Sequence, residues 1–209
     1  MGVWTDRVVP RLTDRALRGA QFDDLRRSVC AGLEGHVLEL GFGSGLNLEH
    51  YPTGVTRVSA VEPADVGWNL SATRRGGFGS PVRRVGLDGQ QLDAADGSFD
   101  SVLVTFTLCT IPDPARALAE VARVLVPGGT LHLLEHGRAP DEGVVRWQCR
   151  LDPWQQRVFA GCHLSRDVPA LVSAAGLEIT ELDQRYLPGP SIARPWAYAY
   201  RGRAAKMVS

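Results

Sequence analysis

The chain has 209 residues, its 23 basic residues balance 23 acidic ones, and 44% of its residues are hydrophobic. This length suits one α/β domain, and the absence of a basic excess disfavours a nucleic-acid partner and leaves a homodimer open. No apolar run approaches the roughly 20 residues of a membrane span, and no signal peptide is recognisable, so the composition predicts a cytoplasmic protein.

Helices and strands alternate along most of the chain. Residues 4–32 are predicted to be helical because apolar residues recur there at helical spacing. Five short apolar runs that read as buried strands follow, at 37–40, 55–61, 82–85, 99–105 and 130–135. Helices are predicted between them at 46–51, 63–75 and 114–125.

The remaining third of the chain adds helices at 141–160 and 166–175 and strands at 177–186 and 197–201. The last two strands are expected to pair as an antiparallel edge. Five alternations of strand and helix predict a parallel sheet with helices on both faces. The predicted fold class is therefore α/β, a Rossmann-like, doubly wound, mostly parallel seven-stranded sheet with an antiparallel edge strand and amino-terminal helices.

A glycine-rich loop, Glu39-Leu40-Gly41-Phe42-Gly43-Ser44-Gly45, directly follows the first predicted strand. Glycines let the backbone turn sharply and let a ligand approach the peptide groups closely. A dinucleotide fingerprint requires G-x-G-x-x-G, but here the third glycine comes one residue early and Leu46 takes its place. The loop therefore favours S-adenosylmethionine, which has no pyrophosphate. The Glu39 carboxylate is expected to meet the cationic amino group of this cofactor through the loop or through water.

Two further acidic residues follow the next two strands. Glu62-Pro63 ends the second strand about 20 residues after the loop, where a carboxylate can accept both ribose hydroxyls. Asp88-Gly89 follows the third strand and can accept from an adenine amino group, with a turn or a helix cap as the alternative. Thr105, at the end of the fourth strand, is expected beneath the methionine part of the cofactor.

Three motifs span the first two thirds of the chain: 37–45, Asp96-Gly97-Ser98-Phe99-Asp100 and 123–129. Together they resemble the class I methyltransferase family, of the kind that includes the quinone-biosynthesis enzymes. Segments 151–154, 159–166 and 194–195, with Leu108-Cys109 and Glu135-His136, resemble its thiol-methyltransferase-like branch. The resemblance implies S-adenosylmethionine as donor and a small thiol as acceptor. The chain departs from the branch in lacking the hydrophobic amino-terminal anchor of the animal members and in having Phe42 where cysteine is common.

Three side chains are candidates for chemistry on the acceptor. His136 lies just beyond the fifth strand and can take a proton near neutral pH, with a hydrogen bond to a nearby carbonyl as the alternative. Asp152 is the second catalytic candidate, with a helix cap as the alternative, and His163 is a weaker third. Cys109 and Cys162 are expected to line the pocket or to be buried, and with no C-x-x-C pair among the cysteines no metal site is expected.

Trp147, Trp154 and Phe159 recur at near-helical spacing, which favours a core stripe over a lid above an apolar substrate. Three further histidines are expected to be structural: His36, His50 and His132. We predict a single domain over 1–209, with a helical segment at 1–35, a cofactor-binding core at 36–136 and substrate-side helices and terminal strands at 137–209. Its predicted function is methyl transfer to a small, apolar acceptor, with thiols favoured. The alternatives are O-, N- or C-methylation of a quinone, lipid or secondary metabolite, and a non-catalytic cofactor-binding module.

Overall fold

The structure, a computed structural model, describes residues 4–208, the side chains of 5 and 6 excepted. Its strands are β1 (Gly35–Leu40), β2 (Val55–Val61), β3 (Val82–Gly86), β4 (Phe99–Thr105), β5 (Leu125–His136), β6 (Leu177–Tyr186) and β7 (Tyr198–Lys206). They form one sheet in the order β3-β2-β1-β4-β5-β7-β6. The first five strands are parallel, and β7 runs antiparallel to both β5 and β6. The predicted sheet, with its antiparallel pair at one edge, is confirmed.

Eight α-helices in the described residues flank the sheet: α1 (Val9–Ala16), α2 (Ala20–Cys30), α3 (Asp65–Leu70), α4 (Ala72–Gly77), α5 (Pro114–Val124), α6 (Glu142–Val158), α7 (Val168–Ala174) and α8 (Arg194–Ala197). A π-helical turn, Trp4–Val8, precedes α1. Helix α5 begins where predicted because Pro114 suits its first turn and the Asp113 carboxylate accepts from the Arg116 amide.

Five predicted elements differ clearly from the structure. The helix predicted at 4–32 is divided into the π-helical turn, α1 and α2, with Gly19 at φ 124° before α2, and the strand predicted at 130–135 begins at Leu125. Residues 46–51 form only a 3-10 turn, Leu48–His50, before Pro52. The helix predicted at 63–75 is divided into α3 and α4 at Ser71, whose hydroxyl donates to the Trp68 carbonyl and competes with the helical bonds. The strand predicted at 197–201 extends to Lys206, because β7 is paired on both sides and tolerates Gly202 within it.

Apolar residues fill both faces of the sheet. Successive residues of β1 alternate between the two cores: Leu38 and Leu40 pack with α5 and α7, whereas Val37 packs with Leu25 and Val29 of α2. Each fully buried side chain of this size contributes roughly 1.5–3 kcal/mol. The amino-terminal helix α2 is therefore part of the core, and it holds one face of the strands that carry the glycine loop.

His132 lies on β5 and is buried against α2. Its Nδ1 donates to the Val29 carbonyl at 2.8 Å, and its Nε2 lies 3.2 Å from the Thr130 hydroxyl. Burial lowers the pKa of His132 to about 4, whereas an unfolded histidine has a pKa of roughly 6.5. Between these values the unfolded chain binds more protons than the folded one. The contribution of neutral His132 to stability is therefore complete above pH 6.5 and is lost as the pH falls towards 4.

We expect this group to lower the free energy of unfolding by about 2 kcal/mol between pH 7 and pH 5. In the variant His132→Gln, an amide can make the same two hydrogen bonds but does not titrate. Urea unfolding of both proteins at both pH values measures the difference. The variant should lose clearly less stability on acidification than the wild type, and an equal loss in the two proteins would show that His132 is not the group responsible.

Candidate functional site

The glycine loop between β1 and the 3-10 turn requires its glycines. Gly41, Gly43 and Gly45 all have positive φ, at 69°, 56° and 72°. A Cβ atom on Gly41 would lie 2.0 Å from the Thr107 hydroxyl oxygen, so no side chain fits there. The Gly41 amide donates to the Val61 carbonyl at 2.9 Å and so joins the loop to the end of β2. The loop therefore has the sharp turn and the open backbone that its sequence predicts.

Glu62, at the end of β2, is bound to this loop. Its buried carboxylate accepts from the Gly43 amide at 2.6 Å and from the Ala64 amide at 2.8 Å. Burial raises the pKa of Glu62, although the two amides favour its charged form. A carboxylate offers about four lone pairs, so two remain for a ligand. The fold thus brings Glu62 to the loop, as the spacing predicts, and leaves Pro63 exposed beside it.

A buried polar network lies beneath the loop. The Glu39 carboxylate, which is wholly buried, accepts from the Asn47 amide at 2.6 Å and from the Tyr51 hydroxyl at 2.5 Å. Asn47 also donates to the Thr105 hydroxyl at 3.0 Å and accepts from Arg26 at 2.5 Å. Burial raises the pKa of Glu39 to about 7. Glu39 and Thr105 therefore support the loop from within. The sequence did not single out Asn47 and Arg26, because only the fold joins them to Glu39.

Three other residues were also predicted to bind the cofactor: Phe42, Asp88 and Gly89. The Phe42 ring is buried against Trp68, with ring centroids 5.5 Å apart, so its backbone alone remains for a ligand. Gly89 is buried at the end of the turn that follows β3. Asp88 is exposed, and its carboxylate accepts from the amide and the side chain of Gln90 at 2.9 Å each. The turn role is thus present for Asp88, and its contact with adenine stays a prediction.

Helix α1 lies over the glycine loop. The Ser44 hydroxyl donates to the Asp14 carboxylate at 2.5 Å, and the Arg74 guanidinium donates to the Ser44 carbonyl at 2.9 Å. At the other end of this segment, the Trp4 indole donates to the Val158 carbonyl at 2.7 Å. Residues 4–16 therefore connect the end of α6 with the glycine loop, while α2 packs on the sheet.

Two cysteines and one histidine meet beyond the carboxyl ends of β4 and β5. The side-chain ligand atoms of Cys109, His136 and Cys162 all lie within 4.8 Å of one another, and the Cys162 sulfur is 3.3 Å from His136 Nε2. Both cysteines are buried. The sequence did not reveal that these three potential metal ligands meet. Spacing motifs detect ligands that are close in the chain, whereas Cys162 and His136 are 26 residues apart.

Hydrogen bonding sets the charges in this cluster, which we call the sulfur–imidazole cluster. The hydrogen bond from the Cys109 thiol, followed by the nearby His136, lowers the pKa of Cys162. The same hydrogen bond and burial raise the pKa of Cys109. Burial alone would lower the pKa of His136, but Cys162 and Glu135 outweigh burial and raise it. Both shifts act in the same sense and favour movement of the proton from the Cys162 thiol towards His136. The alternative that His136 binds a carbonyl is wrong, because its Nδ1 has no partner among the described residues.

Asp152 lies in the middle of α6 and not at its start, so the helix-cap alternative is wrong. Its buried carboxylate accepts from the Leu164 amide at 2.6 Å and from the Ser165 hydroxyl at 2.5 Å. These bonds fix the loop that carries Cys162. The weaker candidate, His163, has its ring 3.1 Å from the Gln156 side chain.

The loops that carry Cys109 and Cys162 are tied to each other and to the sheet. The His163 amide donates to the Cys109 carbonyl at 2.8 Å, and the Arg166 guanidinium donates to the carbonyls of Leu108 and Ile111. The Glu135 carboxylate accepts from the amides of Thr107 and Leu108 at 2.7 and 3.0 Å, and burial raises its pKa to about 7. Phe106 and Ala160 have positive φ, at 50° and 51°, which is a strained conformation for residues with a Cβ. Sequence reasoning had assigned no role to Arg166.

The aromatic residues on α6 and directly after it face outwards. Trp147, Trp154 and Phe159 are 56%, 54% and 38% exposed, so the predicted core stripe is wrong. The helix instead buries a polar stripe formed by Gln148, Asp152 and Gln155. Gln148 and Asp152 bind backbone groups of neighbouring loops, and Gln155 accepts from the Trp196 indole. An apolar residue could make none of these bonds. Within the described part of the chain, no helix is long and apolar enough to cross a membrane.

Comparison with known proteins identifies the family. The family described as "Methyltransferase domain" matches residues 38–133. A thiol S-methyltransferase of Rattus norvegicus is 32% identical over 176 residues, which cover 81% of this chain and 70% of that protein. The chain belongs to the class I S-adenosylmethionine-dependent methyltransferases. A demethylmenaquinone methyltransferase of Thermobifida fusca is 34% identical over 151 residues, which cover 68% of this chain and 64% of that protein.

The fold of this methyltransferase agrees with its family. An S-adenosylmethionine-dependent methyltransferase of Thermotoga maritima superposes with a TM-score of 0.70 at 22% identity, over 99% of this chain and all of that one. The predicted family, enzyme class and cofactor are confirmed. The three left-handed glycines and the buried Glu62 fit a cofactor with a ribose and no pyrophosphate, because they combine an open backbone with a carboxylate acceptor.

Proposed function

We propose that this methyltransferase transfers the methyl group of S-adenosylmethionine to the sulfur of a small, apolar thiol. The observation that carries the proposal is the 32% identity with thiol S-methyltransferases over 70% of the length of one of them. That alignment covers 176 residues and so extends well beyond the family match at 38–133. The alignment therefore also includes residues after 133, which belong to the proposed acceptor side.

The cofactor binds, in this proposal, across residues 36–136 at the carboxyl ends of β1, β2 and β3. The backbone of the glycine loop faces the amino-acid part, Glu62 accepts the ribose hydroxyls and Asp88 accepts the adenine amino group. Glu39 acts on the cofactor through Asn47 and Thr105, since its own carboxylate is wholly buried. Residues 137–209 and the amino-terminal helices complete the acceptor side.

The proposed reaction is an in-line displacement. The acceptor sulfur bonds to the methyl carbon, the bond from that carbon to the sulfonium sulfur breaks, and its electron pair stays on S-adenosylhomocysteine. Holding donor and acceptor in line is worth roughly 7–11 kcal/mol. A thiol reacts as its thiolate, and its unperturbed pKa of roughly 8.5 makes removal of the proton useful at neutral pH. In this proposal the Cys162–His136 pair, at the carboxyl end of β5, accepts that proton.

The test is formation of S-adenosylhomocysteine by the purified protein with thiols and with matched alcohols and phenols. We expect turnover with alkyl or aryl thiols and at least about tenfold less with the oxygen analogue of the same carbon skeleton. The variant Glu62→Ala, assayed at the same cofactor concentration, controls for background methylation. Turnover of the oxygen analogue alone, or of no thiol at all, would refute the proposed acceptor.

Methylation of a quinone ring carbon is the second candidate, because the demethylmenaquinone methyltransferase relative is 34% identical. A demethylated quinol in the same assay separates the two. Turnover with the quinol and none with thiols would move the acceptor atom from sulfur to carbon while leaving the cofactor site as described.

A further inference from the structure

The sulfur–imidazole cluster brings together three side chains that can bind a metal ion, whereas the removal of one proton needs only a single base. Among the described residues, Cys109, His136 and Cys162 are the only three histidine, cysteine or acidic side chains whose ligand atoms lie close enough together to hold one metal ion. They come from three separate segments: the loop after β4, the end of β5 and the loop after α6. All three segments end at the edge of the sheet where β1 carries the glycine loop.

The donor set of this cluster suits zinc. Thiolate and imidazole are the ligands that zinc prefers, at about 2.3 Å for sulfur and 2.0–2.1 Å for nitrogen. Tetrahedral ligands at those lengths lie roughly 3.5–3.8 Å apart. The separations here, none above 4.8 Å and one of 3.3 Å, need only small side-chain movements to reach that geometry. Two thiolates and one imidazole leave the fourth position free, which is the pattern of catalytic zinc sites.

Hydrogen bonds around the cluster hold its ligand-bearing loops in place, as the outer hydrogen bonds of a metal site do. Asp152 fixes the loop of Cys162, and Glu135 fixes the loop of Cys109 through backbone amides. Two buried polar atoms next to the cluster, Nδ1 of His136 and Oε2 of Glu135, have no partner among the described residues. A histidine that binds zinc through one ring nitrogen uses the other to bind a carboxylate or a water. Buried polar atoms nearly always have partners, so the orphaned Nδ1 of His136 and Oε2 of Glu135 point to a ligand or a water bound at this place.

We propose that Cys109, His136 and Cys162 bind one zinc ion, and that the sulfur of the thiol acceptor takes the fourth position. The second half of this statement rests on the proposed function, whereas the first half does not.

The site would make the thiol reactive without a separate base. A thiol that binds zinc gives up its proton, which passes to solvent, and remains on the metal as a thiolate. This sulfur then forms a bond to the methyl carbon as the bond to the sulfonium sulfur breaks, and the thioether product leaves. The sum is thiol and S-adenosylmethionine giving methyl thioether, S-adenosylhomocysteine and one proton. No change of oxidation state occurs, so zinc can serve throughout.

The first experiment measures metal directly. The full chain, purified under reducing conditions, is titrated with zinc and with cobalt, and the bound metal is quantified after dialysis. We expect one equivalent, with sulfur-to-cobalt charge-transfer absorption, in the wild type and in Cys149→Ser. Cys149 is exposed on α6 outside the cluster and is the matched control. Cys162→Ser, Cys109→Ser and His136→Gln should each bind the metal at least about 100-fold more weakly.

Affinity for S-adenosylhomocysteine shows whether each variant is folded, because its proposed site lies outside the cluster. Unchanged cofactor affinity with lost metal supports the site. Metal retained by all three variants, or no binding of zinc or cobalt by the wild type, overturns it.

The second experiment tests the fourth position. Adding an alkyl thiol to the cobalt-loaded protein should shift the visible cobalt bands, and the matched alcohol should not. If the spectrum of bound cobalt does not change when a thiol is added, the acceptor half is overturned and a structural metal site remains. Full thiol methylation by protein freed of metal with a chelator overturns the acceptor half of the inference while the proposed function stands. Zinc bound in the absence of thiol methylation would instead refute the proposed function and keep the metal site.

Discussion

Replacing Glu62 by alanine is expected to raise the dissociation constant for S-adenosylmethionine at least about 100-fold, because two kinds of interaction are lost together. The carboxylate would no longer accept the ribose hydroxyls, and a hydrogen bond to a charged group contributes roughly 1.5–3 kcal/mol. The amides of Gly43 and Ala64 would also lose their acceptor, at 2.6 and 2.8 Å. Since each 1.4 kcal/mol is about tenfold in affinity, either loss alone is readily measured.

Two further variants separate these contributions. Glu62→Gln keeps a carbonyl acceptor but turns an amide donor towards a backbone N–H, so it should fall between wild type and alanine. Asp88→Ala removes an exposed carboxylate that makes only local bonds to Gln90, and it should weaken binding by no more than about tenfold. Calorimetry with S-adenosylhomocysteine gives the affinities, and thermal unfolding shows that each variant is folded. Unchanged affinity in Glu62→Ala would remove Glu62 from the cofactor site.

The geometry of the proposed cofactor site was predictable because its determinants are local. Glycine permits the positive φ found at Gly41, Gly43 and Gly45, and the carboxylate of Glu62 comes at the expected distance after the loop. The carboxyl ends of parallel strands share one edge of the sheet, so the order of the elements alone brings Glu62 to Gly43.

The acceptor half was not predictable in the same way. Cys109, His136 and Cys162 come together only because β4 and β5 are neighbours and because the loop after α6 brings Cys162 to His136. The separation of these residues in the sequence does not indicate that they are close in the fold. Periodicity also misjudged α6, since a 3.6-residue repeat identifies a helix but not which face is buried. Gln148 and Asp152 are buried because loop amides need acceptors, so the aromatic face remains outside.

Asp152→Ala is expected to lower the free energy of unfolding by about 3 kcal/mol, because the buried Leu164 amide and the Ser165 hydroxyl each lose their acceptor. The loop that carries Cys162 would shift, so the rate of S-adenosylhomocysteine formation with a thiol should fall at least about tenfold. Affinity for the cofactor should not change, since Asp152 lies on α6, away from the glycine loop.

The variant Asp152→Asn tests whether Asp152 acts through its hydrogen bonds or through its charge. Its carbonyl can accept from the Leu164 amide, and its amide can donate to the Ser165 hydroxyl, which both donates and accepts. If Asp152 positions the loop, Asp152→Asn should stay within about 1 kcal/mol of wild-type stability and keep most of the turnover, with the same dependence on pH. If the carboxylate charge takes part in the chemistry, asparagine should be as inactive as alanine while remaining stable. Urea unfolding and turnover across pH, measured on both variants, distinguish these outcomes, and we expect the first because both carboxylate oxygens are already bound to the loop.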